Sequence, residues 1–155
     1  MPHDLVYIAL GSNLGDTADN LDRAIHMISD RIGLVALKSS YIVTEPWGYQ
    51  SVCEFRNAVV AVSTRDSVLL LLDKLEQIEK DLGRQAKSTN GYEDRVIDLD
   101  IIDYKGIQYT DERVVVPHPR MHLRMFVLEP LNEISADWKH PALNRTVSEL
   151  IAILK

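Results

Sequence analysis

Asp98 and Asp100 stand two residues apart in Arg95-Val96-Ile97-Asp98-Leu99-Asp100-Ile101-Ile102, a β-branched apolar run that reads as strand. Alternate side chains of a strand share a face, so the two carboxylates point the same way, about 7 Å apart, while Ile97, Leu99 and Ile101 turn to the opposite, buried face. Like charges aimed together from a rigid element repel unless a cation joins them. Magnesium takes oxygen ligands and shares substrate phosphates, and two such ions about 4 Å apart can clamp the oxygens of a transferring phosphoryl group. An isolated D-x-D is also the pattern of a solvated acidic strand face, so its neighbours decide the reading. Asp103 breaks the parity and is expected to be a solvated residue at the strand end.

Arg84, Lys87 and Arg95 precede the pair, and Arg113, His118, Arg120, His122 and Arg124 follow it. Arginines offer forked, charge-assisted hydrogen bonds to phosphate oxygens, so a collar of them around a metal pair suits a nucleoside triphosphate. Ordinary surface charge accounts for Lys80 and Arg120. There is no G-x-x-x-x-G-K-[ST] and no G-x-G-x-x-G to cradle phosphates. Gly11-Ser12-Asn13-Leu14-Gly15 follows a strand and opens a helix, but Asp16 and Asp19 oppose an anion there, and a structural turn is expected. One cysteine, Cys53, and five scattered histidines give no zinc ligand set. Phe55 and Asn57 share a strand face, where a flat heterocycle can stack on the ring and bond the amide; Phe126 and Trp47 also lie near element ends.

The elements that must position these groups follow from periodicity. Residues 5–10 read as a buried strand. Residues 17–31 form an amphipathic helix through Ala18, Leu21, Ile25 and Ile28, with Asp16 or Thr17 as cap. Residues 34–43 read as a second strand, 44–54 as a mobile surface loop and 55–64 as a third strand. Asp66 is the expected cap of a helix whose stripe is Val68, Leu71, Leu72, Leu75, Ile78 and Leu82, ended by Gly83. A polar loop spans 84–94, a strand 96–104 and a short extended piece 114–116. Residues 121–131 read as partly helical and 147–154 as a terminal helix. Strand, helix, strand, strand, helix, strand is the order of a ferredoxin-like α+β unit. The C-terminal helices allow a three-layer α/β/α sandwich.

The chain has 155 residues, 46% of them hydrophobic, enough for one core, so residues 1–155 are expected to be a single domain. Seventeen Lys plus Arg against 23 Asp plus Glu leave a net charge of −6, which disfavours a surface for nucleic acid or anionic membrane. Within residues 80–124 eight basic side chains balance eight acidic ones, so the whole excess lies elsewhere. Residues 113–124 hold three arginines and two histidines with no carboxylate. A single cysteine, no signal-peptide pattern and no apolar run near the ~18 residues of a membrane span point to the cytoplasm. No segment suggests an oligomer, and a monomer is expected.

Taken together, Gly11-Ser12-Asn13-Leu14-Gly15, Thr44-Glu45-Pro46-Trp47-Gly48, Phe55-Arg56-Asn57-Ala58-Val59, Gly83-Arg84, Arg95-Val96-Ile97-Asp98-Leu99-Asp100-Ile101, Val116-Pro117-His118 and Arg124-Met125-Phe126 resemble, in order and spacing, the 6-hydroxymethyl-7,8-dihydropterin pyrophosphokinase family. The resemblance implies a ferredoxin-like fold. It also implies an ATP- and Mg²⁺-dependent diphosphotransferase of the folate pathway, moving the β,γ-diphosphate of ATP to the pterin hydroxymethyl group and releasing AMP. Carried over residue by residue, Asp98 and Asp100 would ligate two Mg²⁺ ions, and Arg84 and Arg95 would support transfer. Phe55 and Phe126 would sandwich the pterin, read by Thr44, Glu45, Pro46 and Asn57 and closed over by Trp47. Glu79, Lys87, Arg95, Arg113, His118 and Arg124 would serve ATP. Where the family often has Arg-Trp-Gly-Pro, this chain has Gly91-Tyr92-Glu93-Asp94, leaving Lys87 or Tyr92 to substitute. A different metal-dependent nucleotidyl or phosphoryl transferase would keep the aspartates without needing Phe55, Asn57 and Phe126. A non-catalytic binding module would need neither set.

Overall fold

The most apolar runs of the sequence become the middle of one antiparallel sheet. In the computed structural model, which describes residues 4–44, 54–84 and 94–155, β1 (Val6–Ser12) lies between β4 (Phe55–Ser63) and β5 (Asp98–Tyr104). β2 (Leu34–Lys38) and β3 (Ile42–Thr44) both pair with β4. The order β2-β4-β1-β5, with α1 (Thr17–Arg31) and α2 (Val68–Asp81) as crossovers, is the expected ferredoxin-like arrangement. A two-stranded ribbon, β6 (Tyr109–Thr110) with β7 (Val115–Val116), follows β5.

Each face of the sheet has its own core. α1 and α2 press Leu21, Ala24, Ile28, Leu71, Leu75 and Ile78 onto Val6, Ile8, Leu10, Val60 and Leu99. On the other face α3 (Met125–Ser135) and α4 (Val147–Leu154) lay Val127, Leu128, Leu131 and Leu150 against Tyr7, Val59, Ala61 and Ile102. This gives the three-layer sandwich, and it explains why β1 and β4 read as unbroken apolar runs: neither face is left to water. Each buried Val, Leu or Ile contributes about 1.5–3 kcal/mol of transfer free energy.

Four expectations change. The run 34–43 is two strands, because Ser39 substitutes its side chain into the ladder: its N–H donates to the Val59 carbonyl at 3.0 Å and its Oγ accepts from Val59 N–H at 2.9 Å. Ser40 then turns outward to Glu133 of α3, donating through Oγ at 2.6 Å. The break sends β3 to the N-terminal half of β4, setting Thr44 opposite Phe55. The cap of α2 is Ser67, whose Oγ accepts from Leu70 N–H; Asp66 lies one residue too early and pairs instead with Lys74 at 2.8 Å. The strand expected at 96–104, β5, starts at Asp98, because the polar backbone just before it is bonded elsewhere, the Ile97 carbonyl to Arg84 among others.

Asp103 is fully buried, not solvated. A β-bulge between the Tyr7–Asp103 and Ile8–Ile101 pairs shifts the alternation that the sequence pattern assumed. Its Oδ2 accepts from Gly106 N–H at 3.0 Å and so braces a tight turn. There Lys105 and Gly106 both have positive φ, 53° and 73°, and Ile107 N–H returns to the Tyr104 carbonyl, the pairing typical of a twisted hairpin.

Candidate active site

Register places the chemical residues in rows across the sheet. Asn57 of β4, Gly11 of β1 and Asp98 of β5 stand opposite one another, and the next row is Val59, Ala9 and Asp100. Directly opposed residues share a face, so Phe55, Asn57, Asp98 and Asp100 all rise from the α3 side of the sheet. The residues between them on β1 are the smallest available. A Cβ at Gly11 would stand 3.1 Å from Asn57 Oδ1 and 3.6 Å from the Phe55 ring, so glycine clears the floor of this trough. The sequence did carry that signal, since glycine inside a strand marks close approach.

The carboxylate pole is assembled from three elements. Gly83, with φ +100°, ends α2 in a Schellman motif: its N–H donates to the Lys80 carbonyl and Arg84 N–H to the Glu79 carbonyl. The reversal carries Arg84 over β5, where Nη1 donates to Glu79 Oε2 at 2.8 Å, Asp98 Oδ1 at 2.7 Å and the Ile97 carbonyl at 3.1 Å. Burial alone would lower the pKa of this guanidinium, but Asp98, Glu79 and Asp100 outweigh it and the pKa is raised. Glu79 Oε2 also accepts from Leu99 N–H at 2.8 Å. This buried carboxylate therefore fastens α2 to the strand bearing both aspartates. Arg95 approaches from the other side, Nη1 at 3.5 Å from Asp98 Oδ2, with its guanidinium 5.7 Å from the Phe55 ring centre.

The aromatic pole lies across the Gly11 floor. Asn57 Nδ2 donates to Thr44 Oγ1 at 2.8 Å, which holds the amide in the orientation that turns Oδ1 toward Gly11. Phe126, in the first turn of α3, packs on the same side of the sheet, and Arg124 lies 5.7 Å from its ring centre. His118 is anchored by its N–H to the Ile102 carbonyl at 2.8 Å, and its Nδ1 accepts from Arg120 N–H at 3.1 Å. Burial, then Arg124 and Arg120 against the pull of Asp98, push the imidazole down to about 4. The ring is thus neutral near pH 7, with its proton on Nε2.

This has a pH consequence. The unfolded imidazole titrates at its ordinary 6.5 and the folded one near 4, so on acidification the unfolded chain takes up a proton the folded one refuses. Stability present above pH 6.5 therefore declines through this window. Ring resonances of His118 followed by NMR are expected to stay constant from about pH 5.5 to 8; a midpoint above 6 contradicts the burial argument.

Phe55, Asn57, Asp98 and Asp100 thus share one face of the sheet, with Thr44, Glu79, Arg84 and Arg95 bonded to or against them, and His118, Arg124 and Phe126 gather on the same side. Arg113 stands apart: it bonds Asp73 at 2.7 Å and Glu76 at 3.0 Å on the exposed side of α2. Glu45, Pro46, Trp47 and Lys87, with the loops expected at 44–54 and 84–94, lie largely outside the described residues. Among those described, no group of three His, Cys, Asp or Glu is arranged to hold a metal. Asp98 and Asp100 offer only hard oxygen donors, so an ion held there would complete its shell from water and ligand oxygens, the habit of magnesium.

Known proteins share the sequence and the fold of this chain. Residues 7–136 match the family described as 7,8-dihydro-6-hydroxymethylpterin-pyrophosphokinase (HPPK). The chain is 41% identical over 141 residues to a 2-amino-4-hydroxy-6-hydroxymethyldihydropteridine pyrophosphokinase of Porphyromonas gingivalis, covering 88% of this chain and 94% of that one. It is 38% identical over 133 residues to the protein of that name from Bacillus subtilis, covering 85% and 78%. Its fold is shared with the crystal structure of wild-type Plasmodium falciparum HPPK-DHPS, with a TM-score of 0.78 at 16% identity over 96% of this chain; the chain spans 44% of that structure. No described helix is long and apolar enough to cross a membrane. A match that runs through both halves of the trough, from β1 to the end of α3, establishes that this chain belongs to the 7,8-dihydro-6-hydroxymethylpterin-pyrophosphokinase family.

Proposed function

We propose that the chain transfers the β,γ-diphosphate of ATP to the hydroxymethyl group of 6-hydroxymethyl-7,8-dihydropterin, giving AMP and the pterin diphosphate for folate synthesis. The observation that carries this is the position of Arg95, which touches the carboxylate pole through Asp98 and the aromatic pole through Phe55. One guanidinium at the junction can face both the diphosphate being moved and the group receiving it.

Asp98 and Asp100 would hold Mg²⁺, two ions being the expected number, and bound magnesium supplies charge neutralisation on the phosphate oxygens. The chain's own residues do the positioning. Phe55 and Phe126 offer ring faces to the pterin, and Asn57 Oδ1, its amide fixed by Thr44, accepts from the polar edge of the heterocycle. Trp47, Glu45 and Pro46 are read as further pterin contacts and Lys87 as an ATP contact. Arg84 and Arg95 spread positive charge along the diphosphate as the hydroxyl oxygen bonds to the β-phosphorus, the bond from β-phosphorus to the bridging oxygen of AMP breaks, and the hydroxyl proton passes to solvent. His118, neutral and donating through Nε2, can bond a nucleotide oxygen without adding charge; Arg124 contributes the cationic contact, Arg113 would join it only by leaving Asp73 and Glu76, and Glu79 sets the nucleotide side from beneath. Residues 1–155 are read as one domain acting as a cytoplasmic monomer, since both faces of the sheet are covered by the chain's own helices.

Phe126→Ala tests the two-pole reading. Loss of a stacking platform costs about 1–3 kcal/mol per ring, so pterin affinity by calorimetry is expected to fall about 5–150-fold. Affinity for a non-hydrolysable ATP analogue with Mg²⁺ should stay within about twofold. Equal losses for both ligands would refute the stacking role.

A further inference from the structure

Asn13 belongs to the Gly11–Gly15 turn between β1 and α1, and only 3% of it is exposed. Its Nδ2 donates to Asp94 Oδ1 at 2.8 Å, its Oδ1 accepts from Arg95 N–H at 2.7 Å, and its own N–H donates to the Arg95 carbonyl at 3.0 Å. One residue thus makes three hydrogen bonds to a dipeptide more than eighty positions further along the chain. The turn is itself braced from α1, where Asn20 Nδ2 donates to Ser12 Oγ at 3.1 Å and to the Leu14 carbonyl at 2.8 Å. Asp16 accepts from Asp19 N–H and places a carboxylate at the start of α1, which makes an anion site there unfavourable. The turn is built to grip the chain.

What it grips is the backbone of Arg95, at both its N–H and its carbonyl. A long side chain reaches a fixed point reproducibly only when its Cα is fixed. Here the guanidinium must lie near both Asp98 and the Phe55 ring. We propose that Asn13 is a positioning residue: through its side-chain amide it fastens Asp94 and Arg95 to the β1–α1 turn and so aims Arg95 at the transferring diphosphate. This rests on the role given to Arg95 above.

The donor and acceptor assignment supplies the test. Asn13→Asp keeps the acceptor for Arg95 N–H but sets a carboxylate against that of Asp94; adding Asp94→Asn restores a donor to the pair with its direction reversed. Asn13→Asp is expected to lower kcat about 10–100-fold, with KM for each substrate within about threefold. The double variant Asn13→Asp/Asp94→Asn should recover kcat to within about threefold of wild type. Asn13→Ala should accelerate hydrogen exchange at the Arg95 amide, and in an Arg95→Ala background should lower kcat less than about twofold further. Absence of rescue, fully multiplicative losses with Arg95→Ala, or unchanged exchange at the Arg95 amide would each overturn the assignment. Wild-type protein is assayed first: if it forms no AMP from ATP and the pterin, the proposed reaction fails, whereas an active wild type with unimpaired Asn13 variants refutes the positioning role alone.

Discussion

Asp100→Asn is expected to lower kcat for diphosphate transfer by about 10³-fold or more, equivalent to about 4 kcal/mol of transition-state stabilisation, while leaving thermal unfolding within a few degrees of wild type. The two aspartates are not equivalent. Asp98 Oδ1 accepts from Arg84 and its Oδ2 lies near Arg95, so replacing it also strips a buried cation of a partner. Asp100 stands one row further along β5, opposite Ala9, and acts on Arg84 only as the weaker of the charges around it. Its replacement therefore removes a carboxylate of the pair while disturbing Arg84 less than replacement of Asp98 would. Steady-state kinetics across a magnesium titration, with calorimetric unfolding in parallel, measure both quantities. A loss under about tenfold with unchanged magnesium dependence would show that the carboxylate pair does not hold the ions.

Glu79→Leu is expected to produce the largest stability change. The Glu79 side chain is 6% exposed and that of Arg84 7%, so the substitution leaves a buried guanidinium with one anion fewer and the Leu99 N–H without its acceptor. Removing one member of a buried ion pair costs about 3–5 kcal/mol, which for a chain of this size lowers Tm by about 6–20 °C. Transfer activity should fall with it, because Arg84 loses the anchor that sets it against Asp98. Glu79→Gln keeps an acceptor for Leu99 N–H and is expected to recover part of the stability while Arg84 remains poorly held. Urea unfolding of the three proteins decides this: a Glu79→Leu change below about 1 kcal/mol would mean that Glu79 carries neither α2 nor Arg84.

Short-range periodicity read correctly wherever a single neighbour relation sufficed. The stripes of α1 and α2 and the shared face of Asp98 and Asp100 follow from periods of 3.6 and 2, and the ordered motifs led to the family. Glu79 was also open to that reasoning, since it lies four residues beyond Leu75 on the buried stripe of α2, and a carboxylate there demands buried partners. Asp103 was not, because one bulge residue in β5 reverses the alternation on which its exposure was judged. Nor was the division at Ser39, which depends on a hydroxyl replacing a backbone group opposite Val59. The grip of Asn13 on Arg95 joins segments far apart in sequence, and Gly11 becomes the floor of a trough only once β1 is known to lie between β4 and β5.

The most direct measurement is product analysis after incubation with ATP, Mg²⁺ and 6-hydroxymethyl-7,8-dihydropterin. With the label on the β-phosphorus of ATP, transfer of the terminal diphosphate predicts that label and pterin appear together in one product, with unlabelled AMP released in equal amount. Labelled ADP, or a pterin left unmodified while ATP is consumed, would contradict it.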